Sequence, residues 1–117
     1  MSVIKLEEIL LKSGYIKENS GLFVRNKLDF ELEKEVENFA IQWGEFQKTQ
    51  FDSFTGKDLT ESRITKSSGW DLSQLKGKLL LEMGSGAGRF TEIFLKYGAV
   101  VVSVELSNAA YINYKNN

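Results

Sequence analysis

The feature that most narrows what this chain can fold into is the order of residue types between positions 79 and 104. Leu79-Leu80-Leu81 is a continuous apolar run. Gly84-Ser85-Gly86-Ala87-Gly88 follows almost at once, three glycines on alternate positions. Phe90, Ile93, Phe94 and Tyr97 then recur at helical spacing, and Gly98 is a natural stop. Ala99 to Val104 is a second apolar run. The order reads strand, glycine loop, helix, strand. After it, Ser107 or Asn108 caps a further helix running to Asn117. This is the opening of a parallel α/β sheet, and both apolar runs are expected to be buried on both faces.

The upstream residues are less regular. Ile4, Ile9 and Leu10 among Lys5, Glu7 and Glu8 predict an amphipathic helix over residues 3–12, ended by Lys12-Ser13-Gly14. Residues 13–28 read as irregular, with Leu22-Phe23-Val24 a candidate short strand. Asp29 is a good cap for a longer helix whose apolar face is Leu32, Val36, Phe39, Ala40 and Trp43. Trp43, Phe39 and Phe46 are read as packing residues. Phe51 and Phe54 anchor a polar stretch broken at Gly56, and a short helix covers residues 58–67. The chain therefore divides into a helical N-terminal segment, 1–75, and the start of an α/β domain, 76–117.

Composition removes several chemistries. The chain of 117 residues has no cysteine and no histidine. Disulfides, thiolate zinc sites, Cys nucleophiles, His bases and His metal ligands are thus excluded within it. The formal net charge of -1 carries no basic excess that would suggest nucleic acid. No apolar run reaches the roughly 18 residues of a membrane span, and the N-terminus lacks a secretory pattern. The expectation is a cytoplasmic protein. Asp52, Asp58 and Glu61 match no metal-ligand spacing.

The chemistry concentrates at residues 82–105. A buried strand aims its C-terminal end at the crevice where open α/β sheets bind ligands. Gly84 and Gly86 permit backbone conformations closed to other residues and let a ligand approach the main chain. Gly88 permits close packing where the helix begins, and the helix N-terminus offers unpaired N–H groups. Glu105 stands at the end of the second strand, 21 positions after Gly84. An acidic residue there accepts the hydroxyl hydrogens of an adenosine ribose, at about 1.5–3 kcal/mol per charge-assisted bond. A dinucleotide fingerprint G-x-G-x-x-G would need glycine at Arg89; the pattern here is Glu82-x-Gly84-x-Gly86-x-Gly88. Arg89, at the helix start, reads as a surface or lid contact; it slightly opposes the helix dipole, which leaves a ligand or an acidic partner as the alternative.

Residues 79–90 with Glu105 resemble the first motif and the acidic second-strand end of class I S-adenosylmethionine-dependent methyltransferases. The runs Gly86-Ala-Gly-Arg-Phe-Thr91 and Val104-Glu-Leu-Ser-Asn108 are similar to the branch acting on small molecules and on glycan or lipid intermediates. The specific resemblance covers residues 76–117; a weaker one extends through Trp43, Gln50, Asp52 and Arg63, where such enzymes carry a helical lid. The resemblance implies a Rossmann-like three-layer sandwich with S-adenosyl-L-methionine as methyl donor. It implies that Glu82 orients the methionine amino group and that Gly84, Ser85, Gly86 and Gly88 line the cofactor. Glu105 would hold the ribose hydroxyls and Arg63 would pair with the carboxylate. Such enzymes have seven strands, of which two are readable here. The expectation is therefore an N-terminal portion that lacks the adenine-contacting residues and most of the acceptor pocket.

Three hypotheses follow. In the first, the chain is part of a methyltransferase; methyl transfer from a sulfonium needs mainly positioning, so the absence of His and Cys is no objection. In the second it is an NAD(P)-binding oxidoreductase fragment, against which Arg89 counts. In the third it is a half-domain without catalysis, with a complementing C-terminal half or with self-association through an unpaired strand edge.

Overall fold

The computed structural model describes residues 2–25, 34–38, 41 and 48–117. Helix α1 (Val3–Lys12) starts where the Ser2 hydroxyl accepts the Lys5 N–H and ends at Ser13, with Gly14 in the left-handed region at φ +86°. Strands β1 (Tyr15–Lys17) and β2 (Phe23–Arg25) form an antiparallel hairpin with Ile16 opposite Val24. β1 falls in a stretch whose sequence reads as irregular. Three residues are too few to show alternation, and order comes from pairing and from the Glu18–Leu22 and Gly21–Glu18 backbone bonds of the turn. Residues 34–38 and 41 are helical, with Val36 half-buried. The other residues of the expected long helix, Leu32, Phe39, Ala40 and Trp43 with Phe46 beyond them, lie outside the described residues.

Helix α2 (Asp52–Thr55) is one turn, closed by Gly56. Helix α3 (Leu59–Ser68) follows, then a 3-10 turn, Leu72–Leu75. Phe51 is buried as an anchor should be, but Phe54 is 65% exposed and anchors nothing. The second half is β3 (Leu79–Met83), α4 (Arg89–Lys96), β4 (Val100–Val104) and α5 (Ala109–Asn116). β3 and β4 are parallel neighbours, Leu79 opposite Val100 through Met83 opposite Val104. The class is α/β, with two small sheets. Asn108 occupies the N-cap position of α5 without a side-chain bond, and the Ser107 hydroxyl accepts the Ala109 N–H in its place.

The core joins Ile64 of α3, Leu72 and Leu75 of the 3-10 turn, Ile93 of α4 and Ala99, with Leu80, Val101, Phe90 and Phe94 packed around it. It crosses position 75, so α3 and the β3–α4–β4 unit share one interior. Only one face of the sheet takes part. Leu80 and Glu82 point to the helices, whereas Leu79, Leu81 and Met83 are exposed, Leu81 by 66% and Met83 by 69%. Burial on both faces is thus not observed. An apolar run specifies a strand that suits two layers, but among the described residues a layer packs on one face. Among those residues, no helix is long and apolar enough to cross a membrane.

The hairpin meets the second half at α5. Tyr111 Oη donates to the Glu18 carboxylate at 2.9 Å, and Gly21 lies under the Tyr114 hydroxyl, where a Cβ would sit 2.6 Å from the oxygen.

Candidate functional site

The parallel register brings the ends of β3 and β4 together, and this places the glycine loop beside Glu105. Gly84 N–H continues the ladder, donating to the Val104 carbonyl at 2.7 Å. The chain then turns through Gly84, Gly86 and Gly88 at φ +73°, +54° and +96°. An L side chain in that region costs about 1–2 kcal/mol per residue. Gly88 has a second reason to be glycine, because a Cβ there would collide with the Asn113 and Asn117 side chains.

Glu105 clasps this loop. Its Oε2 accepts the Gly86 N–H at 2.7 Å, and its Oε1 accepts the Ser107 N–H at 3.0 Å and the Ser107 hydroxyl at 2.8 Å. A carboxylate has about four acceptor positions. Glu105 thus retains capacity for one incoming hydroxyl without giving up a bond to the loop, and a second hydroxyl would displace one of these donors.

Glu82 is placed on the helix-facing side of β3, where it is 9% exposed. Its Oε2 accepts the Thr91 and Ser103 hydroxyls, each at 2.6 Å, and Asn113 Nδ2 donates to Thr91 Oγ1 at 3.0 Å. This network ties β3, β4, α4 and α5 together beneath the loop. Its other oxygen, Oε1, is buried with no partner. Ser85 Oγ and Arg89 Nε are in the same state. Among the described residues these are the buried side-chain polar atoms without a hydrogen bond, and they fall within positions 82–89. Leaving such a group unpaired costs roughly 1–3 kcal/mol, so their concentration at one loop marks a place suited to a hydrogen-bonding ligand.

Arg89 opens α4 half-buried. Its Nη1 donates to Gln50 Oε1 at 2.8 Å, and its guanidinium lies 4.9 Å from the Phe90 ring centre. Burial lowers its proton affinity, the nearby Arg63 charge lowers it further, and Asp52 opposes both. Arg63 itself is exposed on α3. Asp52 acts as a remote cap of α3, accepting the Thr60 N–H at 2.9 Å and the Glu61 N–H at 3.0 Å. Burial alone would raise its pKa, but those two N–H groups and the Thr60 hydroxyl outweigh this and hold it below the ordinary value. Glu61 is engaged by Lys96 and Tyr97, each at 2.5 Å. Among the described residues no three acidic side chains gather to hold a metal ion.

The fold therefore brings together Glu82, Gly84, Ser85, Gly86, Gly88 and Glu105, and carries Arg63 to the neighbourhood of Arg89. Sequence reasoning missed Thr91, Ser103, Asn113 and Ser107. Ser103 left a trace, as the one polar residue inside Val100–Val104; Asn113 left none, because α5 has no apolar stripe against which to stand out. A cavity of about 390 Å³ lies beside the loop, lined by Phe51, Phe54, Lys48, Glu92 and Asn116 among others. Asn116 Nδ2 ties it to the loop by donating to the Ala87 carbonyl at 3.3 Å. A second, of about 340 Å³, lies around Trp70, Lys78 and Leu79, at the other end of β3 from the loop. No family model, curated protein or solved structure matches the chain.

Proposed function

We propose that the loop 84–88 and Glu105 bind S-adenosyl-L-methionine and that the chain serves methyl transfer to a small-molecule, lipid or glycan-intermediate acceptor. In this reading β3–α4–β4 is the opening of a Rossmann-like sheet of the class I methyltransferase kind. The observation that carries the reading is the clustering of unpartnered polar atoms at positions 82–89, on a loop of three positive-φ glycines clasped by an acid. The donor set suits this ligand. Glu105 offers an acceptor to a ribose hydroxyl. The free oxygen of Glu82 is the acceptor available to an ammonium, directly or through water, and Arg63 is the cation available to a carboxylate. Ser85 Oγ adds a neutral donor and acceptor. When bound, the cofactor supplies a methyl group already activated on a sulfonium. The chain's contribution is to hold it and exclude water, which is positioning rather than acid–base work. No base is assigned within these residues.

The open face of the sheet favours a second reading beside the first. Leu81 and Met83 stand exposed on a parallel sheet, and such sheets are covered on both faces. A unit of this kind would bind the cofactor and turn over only with a complementing layer.

Calorimetric titration of the full chain tests the first reading. S-adenosylhomocysteine is expected to bind saturably and NAD not to bind. Glu105→Ala is expected to weaken binding at least tenfold, about 1.4 kcal/mol, less than one charge-assisted hydrogen bond. Binding of NAD in its place overturns the reading, and unchanged affinity in Glu105→Ala removes Glu105 from the site.

A further inference from the structure

The buried residues of α5 are Ala109 and Asn113, one turn apart. An apolar side chain at 113 would pack as well as asparagine does, so a buried amide there needs a polar reason. Asn113, Asn116 and Asn117 fall at helical spacing on one face, and all three reach the glycine loop or the helix that leaves it. Asn116 Nδ2 donates to the Ala87 carbonyl at 3.3 Å. Asn117 Nδ2 donates to the Gly88 carbonyl at 3.1 Å and to Asn113 Oδ1 at 2.9 Å. Asn113 Nδ2 donates to Thr91 Oγ1 at 3.0 Å, and the Thr91 hydroxyl donates to Glu82 Oε2 at 2.6 Å.

The direction of this relay is fixed. A backbone carbonyl only accepts, so the part of Asn117 that faces Gly88 is its nitrogen. The same nitrogen meets Asn113, which therefore presents its oxygen there and its nitrogen to Thr91. Thr91 Oγ1 accepts that bond and keeps its single hydrogen for Glu82. Ser103 donates to the same carboxylate oxygen from β4 at 2.6 Å. One connected set of bonds thus orients both the Gly88 end of the loop and the acid beneath it.

We infer that Thr91 and Asn113 are positioning residues of the proposed cofactor site, acting through Glu82 and fixing the orientation of its carboxylate relative to the loop. The inference rests on the S-adenosylmethionine reading for its effect on binding; the positioning itself does not.

Two variants separate the hydroxyl of Thr91 from its shape. Thr91→Val keeps the shape and removes the donor, whereas Thr91→Ser keeps the donor and removes a methyl group. Calorimetric titration of the folded full chain with S-adenosylhomocysteine reads the consequence. Thr91→Val is expected to weaken binding about tenfold and Thr91→Ser less than about twofold, as loss of one hydrogen bond implies. Asn113→Ala is expected to weaken it about threefold to tenfold. Loss in Thr91→Ser with none in Thr91→Val would mean that Thr91 only packs, which overturns the inference. Equal affinities in the two threonine variants also overturn it.

A second readout needs no ligand. Three-bond couplings along the Glu82 side chain are expected to report one rotamer in the unsubstituted chain and in Thr91→Ser, and averaging in Thr91→Val. Averaging in the unsubstituted chain, or one rotamer in Thr91→Val, overturns the inference. If S-adenosylhomocysteine fails to bind while the couplings follow the expected order, the cofactor reading falls and the positioning of Glu82 stands.

Discussion

Ile93 on α4 is 1% exposed, whereas Ile4 on α1 is 71% exposed. The two isoleucines stand for two ways of building structure within one chain. Residues 3–25 contain no buried side chain. Helix α1 is held by its Ser2 cap, its Ser13–Gly14 stop and the exposed Lys17–Glu7 pair at 2.8 Å. A surface pair of that kind contributes about 0–1 kcal/mol, and a helix of ten residues is marginal alone. Residues 64–101 instead pool apolar side chains from two helices, a 3-10 turn and two strands. The proposed site lies in the second kind. A loop that must hold three glycines at positive φ and several unpaired polar atoms needs a rigid platform to carry that cost.

The largest effect expected from this contrast is at the isoleucines themselves. Ile93→Ala should lower unfolding free energy by roughly 2–5 kcal/mol, and Ile4→Ala should change it by less than about 0.5 kcal/mol. Urea denaturation of both variants reads the difference, and equal costs would break the contrast.

Much of the second region was legible in the sequence because its rules are local and exclusive. Gly84 and Gly86 occupy the left-handed region expected of them. Gly88, expected there for close packing, occupies it too, and the parallel register carries Glu105 to the loop. Asp52 and Gln50 lie far from the loop in sequence, and only the folding of α2 and α3 brings them to Arg89. The failures are equally physical. Leu81 is as apolar as a two-faced strand requires, yet a side chain does not encode whether a second layer is present. Thr91 and Asn113 are buried by their partnership with Glu82, which is a property of four elements together. Strand β1 exists through its pairing with β2 and carries little signal alone.

Glycine substitution sharpens the comparison at the next level. Gly14 and Gly88 have similar backbone angles, φ +86° and +96°. A Cβ at Gly14 meets open space, whereas at Gly88 it meets Asn113, a side chain fixed by Thr91 and Asn117. Gly14→Ala should cost about 1 kcal/mol of strain. Gly88→Ala adds overpacking and should cost roughly 2–4 kcal/mol. Thermal melts of the two variants measure the gap, and a Gly88 variant as stable as the Gly14 variant would contradict the packing around the loop.

The smallest effect concerns Asp52, the remote cap. Its pKa is lowered by folding, so protonation favours the unfolded chain. Its contribution is fully present above the ordinary value of 3.8 and is lost as pH falls through the lower folded value. Asp52→Asn should cost about 1 kcal/mol near neutrality and should flatten the loss of stability below about pH 4. A pH series of denaturation midpoints for both proteins reads this, and parallel curves would remove Asp52 from the acid response.

The most direct measurement is a titration of the full chain with S-adenosylhomocysteine, followed by backbone amide resonances. The account predicts saturable shifts at Gly84, Gly86 and Gly88, with Gly14 and Gly56 unmoved. No saturable shift at the loop glycines at millimolar ligand, in a chain whose spectrum is folded, would contradict it.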